Sequence, residues 1–299
     1  MAATIKTAAA GQQAYTTSGN YVFVVPAGVT SISVLCVGAG SGALGNGELT
    51  GAGGATSYVN NASVSPGQSI NIGVAVGTVG YINQYSRSYV ESICQANSGN
   101  TDSFWTGPNI GTVYAGGLQG GQEQNAGGGA GGYAGAGGLG GDYNESGTAG
   151  ATSGGGGGGG GGGNVVSNLE PNPGHLEVGY EHRGGAGGGG GVGLLGIGST
   201  GAGGVLANGG GGGGAGSSGS VGGNGSPSDN ASPGSGGAGG LYGGGGGSGG
   251  IAYTLEYIDY LYEWQVTGSS DGADAAGAGG AVRIMWGAGR SYPSNAANV

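Results

Sequence analysis

The heptapeptide Ser31-Ile-Ser-Val-Leu-Cys-Val37 carries the clearest strand signal in the chain. In a β-strand its even-numbered residues lie on one face, and its odd-numbered residues, which include Leu35 and Val37, lie on the other. Both faces become apolar toward the end of the segment. We therefore predict a strand that is buried between two layers.

Further strand signals lie on the C-terminal and N-terminal sides of this segment. Tyr21–Val25 is a run of β-forming residues that ends at a proline. Segments 57–64 and 69–76 flank Pro66-Gly67, and this order of residues favours a type II turn. We predict that these two segments pair as a hairpin. Ser88–Cys94 alternates more weakly.

A long aromatic segment, Ile251–Val266, contains neither glycine nor proline. Its tyrosines favour either one long strand or a hairpin about Asp259. A helix is the alternative, because several of its apolar residues also fall at helical spacing.

Ala281–Trp286 is predicted to be a short closing strand, with Val282, Ile284 and Trp286 on one face and Arg283 on the other.

Short alternating strands with proline and glycine turns predict an all-β fold, in the form of an antiparallel β-sandwich with long glycine-rich insertions. The first and last strands must meet if a single core is to form, so the glycine-rich middle is a set of insertions. The expected divisions are an N-terminal arm (1–20), two sandwich halves (21–100 and 251–287), a glycine-rich insertion region (101–250) and a C-terminal arm (288–299).

Glycine accounts for 89 of the 299 residues, whereas ordinary proteins contain roughly 7% glycine. Collagen is excluded, because the glycines come in runs such as 154–163 and there are only 8 prolines. The composition also argues against a helical protein, since glycine costs about 1 kcal/mol at each helix position.

Five Lys and Arg residues against fifteen Asp and Glu residues give a net charge of −10. This balance argues against a nucleic-acid partner and against an anionic membrane surface. No apolar segment approaches a membrane span, and the N-terminus does not resemble a signal peptide. We expect synthesis in a cytoplasm, with Cys36 and Cys94 as buried thiols; a disulfide between them is the alternative.

The glycine runs have two accessible states. One is a flexible coil, and the other is a bundle of polyglycine II helices, which have three residues per turn and bond only to neighbouring helices. A glycine helix gains no stability from side-chain burial. The bundle is therefore ordered only if nearly every backbone amide forms a hydrogen bond with a neighbouring helix. Apolar residues interrupt the runs, for example Ala130, Leu139, Val192 and Leu241. We read them as anchors and predict packed polyglycine II helices.

Glycine-based motifs carry little information in such a chain. Gly38-x-Gly40 follows a strand, yet further glycines would break the helix that a dinucleotide site needs. No general acid–base pair or catalytic triad can be assembled from two histidines and scattered carboxylates. We expect no enzymatic activity and no cofactor.

A weak metal-site candidate consists of His175, Glu177 and Glu181, which share one face if this segment is a strand. A solvated polar face is the simpler interpretation.

Aromatic residues in the glycine-rich region are candidates for receptor contact, because exposed rings stack on sugars or anchor interfaces. They could instead cover the glycine helices from the side. The candidates are Trp105, Tyr114, Tyr133, Tyr143 and Tyr242.

The two ends of the chain resemble glycine-rich virion proteins of bacteriophages. Tyr15–Gly40 (YTTSGNYVFVVPAGVTSISVLCVGAG) resembles their opening, and Gly279–Ser294 (GGAVRIMWGAGRSYPS) is similar to their end, notably in marine and cyanobacterial phages. The middle resembles polyglycine II adhesins of phage fibre tips. The tyrosine-rich segment 251–266 and the acidic turn 271–274 depart from the family pattern.

The resemblance implies a virion structural protein on the particle surface, serving as a tail-fibre or receptor-binding component. Its implied partners are other virion proteins and a host glycan or outer-membrane protein. A homo-oligomer is compatible with this role, although no heptad repeat requires one. The alternatives are a decoration protein of capsid or tail, and an ice-binding or cell-surface protein.

Overall fold

The chain folds into antiparallel β-sheets and contains no helix among the residues that the structure describes. The predicted all-β class is thereby confirmed. The computed structural model describes residues 8–43, 51–78, 87–99, 112–114, 126–141, 146–150, 155–157, 159, 164–166, 178–183, 186–205, 210, 212–228, 233–258 and 263–297.

Within the described residues, five strands form the first sheet, termed here the inner sheet. The closing strand of the chain lies in its middle, between an N-terminal edge strand and the Ser31–Val37 strand, so the two ends of the chain meet as expected. In spatial order the strands are β1 (Gly11–Tyr15), β13 (Ala281–Trp286), β3 (Ser31–Val37), β4 (Thr56–Ser63) and β8 (Thr112–Tyr114).

Four of the described strands form a second sheet, termed the outer sheet, which packs on the inner sheet. The two sheets enclose one hydrophobic cluster, in which Phe23 and Ile72 of the outer sheet meet Val34 and Ile284 of the inner sheet. The strands of the outer sheet, in spatial order, are β2 (Gly19–Val24), β5 (Ser69–Val74), β6 (Arg87–Val90) and β7 (Cys94–Asn97).

The turn predicted at Pro66-Gly67 is confirmed, but the predicted pairing of the two strands that flank it is wrong. Gly67 has φ +79°, and Gln68 N–H donates to Ser65 O at 3.0 Å, as a type II turn requires. However, β4 and β5 belong to different sheets, because β5 pairs with β2 through a register that continues from Val25 to Gln68. Similarly, the weak strand signal at 88–94 resolves into the hairpin of β6 and β7.

Strand β3 is buried on both faces, as its sequence predicts. Its even-numbered residues belong to the cluster between the two sheets. On the opposite face, Leu35 and Val37 pack with Val192, Leu194 and Tyr133 of the glycine-rich region. Strand β13 divides its residues in the same manner. The inner sheet is therefore covered by the outer sheet on one face and by glycine-rich segments on the other.

The glycine-rich segments are joined by backbone hydrogen bonds with a period of three residues. Successive N–H groups of residues 126–131 point to three neighbouring segments in turn, with N···O distances between 2.8 and 3.0 Å. This period is that of a polyglycine II helix, which has three residues per turn. The three pairs of bonds are Ala126→Gly141 with Gly129→Gly138, Gly127→Gly187 with Ala130→Gly190, and Gly128→Gly51 with Gly131→Gly54.

Residues 186–192 repeat the same pattern with other neighbours. Every third N–H group from Ala186 to Val192 donates to residues 242–248, and those of Gly188 and Gly191 donate to residues 220–223. We use the name glycine lattice for these bonded segments. The lattice also includes residues 38–43, 51–55 and 272–280, which continue directly from or into strands β3, β4 and β13.

The lattice leaves no room for side chains at many of its positions. A Cβ at Gly129, Gly156 or Gly189 would overlap a backbone carbonyl of the adjacent segment. The close approach of the segments is what allows each amide to reach a neighbour, so the lattice depends on glycine at these sites.

The apolar residues that interrupt the glycine runs do not all act as anchors. Ala130, Val192 and Leu194 are buried against the inner sheet. In contrast, five others expose large fractions of their side chains: Leu139, Leu195, Ile197, Val205 and Leu241. The expectation that these residues fasten the lattice is wrong for the exposed five.

A third sheet, termed the distal sheet, lies at the end of the lattice that is remote from β3. The hairpin alternative for segment 251–266 is confirmed, because β11 (Ile251–Ile258) pairs with β12 (Glu263–Asp271). Residue Asp259 lies outside the described residues. The sheet is completed by β10 (Val178–Arg183) and β9 (Asn164–Val166). Residues 251–271 therefore do not join the other two sheets, contrary to the predicted division.

The described parts of the two predicted arms, residues 8–20 and 288–297, are integrated into the fold. The N-terminal arm contains β1, the edge strand that pairs with β13. In the C-terminal arm, Tyr292 and Ala296 are buried against the inner sheet. Burial of apolar side chains stabilises both described parts against the inner sheet.

Cys36 and Cys94 are free, buried thiols on β3 and β7, as predicted. Both lie in the cluster between the inner and outer sheets, where Ser57 Oγ is 3.1 Å from Cys94 Sγ. Burial, followed by the contact with Cys94, raises the pKa of Cys36. The Cys36 thiol therefore stays protonated and unreactive at neutral pH.

Replacing Tyr15 by phenylalanine is expected to leave the free energy of unfolding unchanged or to increase it by up to about 1 kcal/mol. The Tyr15 hydroxyl is buried and has no hydrogen-bond partner among the residues that the structure describes, and an unpaired buried polar group is destabilising. The ring contact with Tyr21, at 5.0 Å between centroids, is retained in the variant. Urea unfolding of both proteins measures the effect, and a loss above 1 kcal/mol would contradict it.

Candidate binding cleft

The C-terminal segment, residues 290–297, is fastened onto the inner sheet by asparagine and serine side chains. Asn60 Nδ2 donates to Tyr292 O at 2.7 Å, and Tyr292 N–H donates to Asn60 Oδ1 at 2.8 Å. Ser33 Oγ donates to Arg290 O at 3.1 Å. A bulge in the pairing of β3 with β4 sets Asn60 and Asn61 opposite the single residue Ser33.

Three tyrosines join this segment to the glycine lattice and the inner sheet. Tyr133 and Tyr292 stack at 5.9 Å between ring centroids, and Tyr58 packs against both. The Tyr133 hydroxyl donates to Gly193 O at 2.9 Å and accepts from Gly196 N–H at 3.1 Å. Tyr133 is fully buried. The prediction that it contacts a receptor is therefore wrong, since its ring and hydroxyl are used inside the protein.

Arg283 lies on the lattice-facing side of β13 and is 2% exposed. Its guanidinium donates to neutral oxygens from three parts of the chain. These are Leu194 O at 2.7 Å, Ala297 O at 3.3 Å, Ala296 O and Gln12 Oε1. Within the described part of the chain, no carboxylate forms an ion pair with Arg283. The charge is held by carbonyl dipoles that tie lattice, edge strand and C-terminal segment together.

A cleft of about 560 Å³ opens at the end of the inner sheet where the central strand β3 begins and its neighbour β13 ends. Its wall and floor come from residues 28–33, Asn61 and residues 285–290, with Ala8 and Ala10 at one side. The volume falls within the range of small-ligand sites, about 300–1,000 Å³. Half-buried Trp286 contributes to the wall, and its ring packs on Phe23 at 5.9 Å between centroids.

Arg290 supplies the charge of this cleft. Its Nη2 atom donates to Ala297 O at 2.7 Å and lies 3.5 Å from Gln12 Oε1 and 3.6 Å from Met285 Sδ. Its Nη1 and Nε atoms have no acceptor among the described residues. Burial, followed by the charge of Arg283, lowers the pKa of Arg290, although an arginine stays charged at physiological pH.

The polar rim of the cleft has unused hydrogen-bonding capacity. The side chains of Thr30, Ser31 and Asn61 are exposed and form no hydrogen bond within the described structure. Asn61 adopts a left-handed conformation with φ +56°, which asparagine tolerates better than most residues. The cleft thus combines a half-buried cation, an aromatic ring and short hydroxyl or amide groups.

Tyr242, another predicted receptor-contact residue, does not line this cleft. Tyr242 is half-buried and packs against the cluster that contains Tyr133. Tyr114 lies in β8, where its backbone pairs with Thr56. Trp105 and Tyr143 lie outside the described residues.

The metal candidates are not brought together by what the structure describes. Glu181 lies in β10, opposite Tyr253 and Val166, whereas His175 and Glu177 lie outside the described residues. In the described ranges, no three His, Cys, Asp or Glu residues are grouped to hold a metal ion.

Arg283 and Arg290 are site residues that the predictions from sequence do not include. A signal was present, because an arginine in the middle of the apolar strand Ala281–Trp286 is unusual where only five Lys and Arg residues occur in the whole chain. The cleft itself depends on the bulge at Ser33, which alternation of residues does not reveal.

Stability is expected to fall steeply at alkaline pH. Burial is the main cause that raises the pKa of Tyr133, Tyr292 and Cys36; for Tyr292 it outweighs the opposing charge of Arg283. These groups ionise in the unfolded chain above about pH 8.5 for Cys and about 10 for Tyr. Since the folded state keeps its protons there, stability is level below these values and drops above them, by about 1.4 kcal/mol per pH unit for each group.

Urea unfolding at pH 7, 9, 10.5 and 11.5 tests this dependence. The Tyr133→Phe variant is expected to show a shallower alkaline slope, because one titrating group is removed. Equal stability at pH 7 and pH 11.5 would contradict the assignment.

Comparison with known proteins does not assign a family. No protein-family model matches the chain, and a search of curated proteins finds no match. The described residues also contain no helix that is long and apolar enough to span a membrane.

Proposed function

We propose that this chain is a structural protein of a bacteriophage particle, serving as part of a tail fibre or receptor-binding device. The proposal draws on the resemblance of its two ends to glycine-rich virion proteins. Its main physical support is the three-residue period of the lattice hydrogen bonds, because bonding to several neighbours at once makes a stiff body.

The lattice separates the two ends of the molecule. Residues 272–280 run from the distal sheet to the start of β13, and eight steps at about 3.1 Å correspond to about 25 Å. The distal sheet is thus presented at a fixed distance from the inner and outer sheets. Such an arrangement suits a device that is anchored to other virion proteins at one end and reaches a host glycan or outer-membrane protein at the other.

Immunogold labelling of intact phage particles tests this function. An antibody against the purified chain is expected to label tail fibres, and the purified chain is expected to bind whole host cells and to compete with phage adsorption. Label confined to the capsid or tail tube, without cell binding, would instead assign the chain as a decoration protein. Absence of label from the particle would refute the virion role.

A further inference from the structure

The cleft at Arg290 concentrates positive charge in an acidic protein. The whole chain has a net charge of −10 with five cationic side chains, and two of these five, Arg283 and Arg290, share Gln12 Oε1 and Ala297 O as acceptors. Like charges repel, so this pairing is unfavourable unless something compensates it. In the described part of the chain, no carboxylate does so.

The two arginines differ in how many of their guanidinium N–H groups already have an acceptor. Arg283 is buried and uses both terminal nitrogens on protein oxygens. Arg290 uses Nη2 alone, so its Nη1 and Nε N–H groups have no acceptor in the part of the chain that is described. A carboxylate binds such a group most strongly, through charge-assisted hydrogen bonds.

The other polar and aromatic groups of the cleft indicate which kind of carboxylate ligand would fit. Thr30, Ser31 and Asn61 offer short, exposed hydroxyl and amide groups on the rim, and Trp286 offers part of an indole ring. Hydroxyl-rich rings use partners of both kinds, with polar groups at the ring edge and an aromatic surface below. An acidic peptide would use the guanidinium but not this arrangement of hydroxyl partners.

We propose that the cleft binds a carboxylate-bearing saccharide, of the uronic acid type, with its carboxylate on Arg290 and its hydroxyls on Thr30, Ser31 and Asn61. This inference is independent of the virion role, because it concerns the isolated chain and a site at the opposite end from the distal sheet.

Titrations of the full chain, followed by the indole N–H signals in NMR spectra, test this site. The Trp286 signal is assigned with a Trp286→Phe variant. Glucuronate is expected to shift it saturably, whereas glucose at equal concentration does not. Acetate and triglutamate are expected to bind at least about 10-fold more weakly than glucuronate, because they lack the ring hydroxyls.

Arg290→Gln is expected to weaken glucuronate binding by about 10-fold or more. Arg87→Gln is the matched control, since it removes one positive charge from an exposed site on β6 and is expected to leave binding unchanged. Thr30→Val keeps the shape of the rim and is expected to weaken glucuronate binding but not acetate binding. If Arg290→Gln does not fold, the comparison of glucuronate and acetate binding by Thr30→Val tests the site instead.

The proposal is overturned if glucuronate causes no saturable shift, if glucose acts equally, or if Arg290→Gln binds as tightly as Arg87→Gln. Equal binding of triglutamate or acetate would overturn the saccharide assignment and leave a simple anion site.

Discussion

Gly189→Ala is expected to lower the free energy of unfolding by about 3 kcal/mol. Gly189 is buried in the lattice, its N–H donates to Gly245 O at 2.8 Å, and an added Cβ would overlap the carbonyl of Gly128. Backbone atoms cannot rotate away as a flexible side chain can, so the two segments must separate. Overpacking costs about 1–3 kcal/mol, and the strained hydrogen bonds between the segments add about 1 kcal/mol each. Alanine's smaller unfolded-state entropy offsets only about 0.4–1 kcal/mol.

Gly279→Ala is the matched control for this substitution. Gly279 also lies in a glycine-rich segment, but the nearest atoms to an added Cβ are Ser18 Oγ at 3.5 Å and Ala75 O at 3.8 Å. These are ordinary contacts, so the stability is expected to change by less than about 0.5 kcal/mol. Urea unfolding of both variants measures the difference. Equal effects of the two substitutions would show that lattice packing does not limit stability.

Arg283→Ala is expected to destabilise the fold by about 3 kcal/mol or more. The substitution leaves Leu194 O and Ala296 O, both buried, without this donor, and each unsatisfied buried acceptor costs about 1–3 kcal/mol. Arg283→Lys is expected to be intermediate, because a single nitrogen cannot reach all the oxygens that the guanidinium contacts.

Release of the C-terminal segment distinguishes this mechanism from a general loss of packing. Arg290 is retained in the Arg283→Ala variant and is a trypsin site. Cleavage after Arg290 is expected at lower trypsin concentration than in the parent protein. Arg87→Ala removes an exposed arginine that lies over the Tyr89 ring at 5.7 Å, and it is expected to cost less than about 1 kcal/mol. A stable Arg283→Ala protein with a protected C-terminus would contradict the role of Arg283.

The faces of individual strands could be predicted from the sequence, whereas their partners could not. Alternation in Ser31–Val37 and Ala281–Trp286 correctly divides the residues between two clusters, because side-chain direction is a local property of a strand. The turn at Pro66-Gly67 is also local. Which strand lies beside β5 depends on the packing of two whole sheets, and turn chemistry does not contain that information.

The glycine-rich region and the cleft were predictable to different degrees. Composition restricts the region to a coil or to laterally bonded helices, and the pairing of particular segments, such as 126–131 with 186–192, then requires the structure. Of the residues singled out as receptor contacts, Tyr133 is in the interior. The arginines were missed because residue type alone does not reveal which charge lacks an acidic neighbour.

Along residues 126–131 and 186–192, the direction of the N–H groups repeats every three residues. This repeat restricts the insertions and deletions that the glycine lattice can accept. Inserting one residue into such a segment would turn every later N–H group by about 120° about the helix axis, away from its acceptor. An insertion of three residues would restore the directions. Natural length variants are therefore expected to gain or lose residues in triplets within the helices, and in any number at the connecting turns.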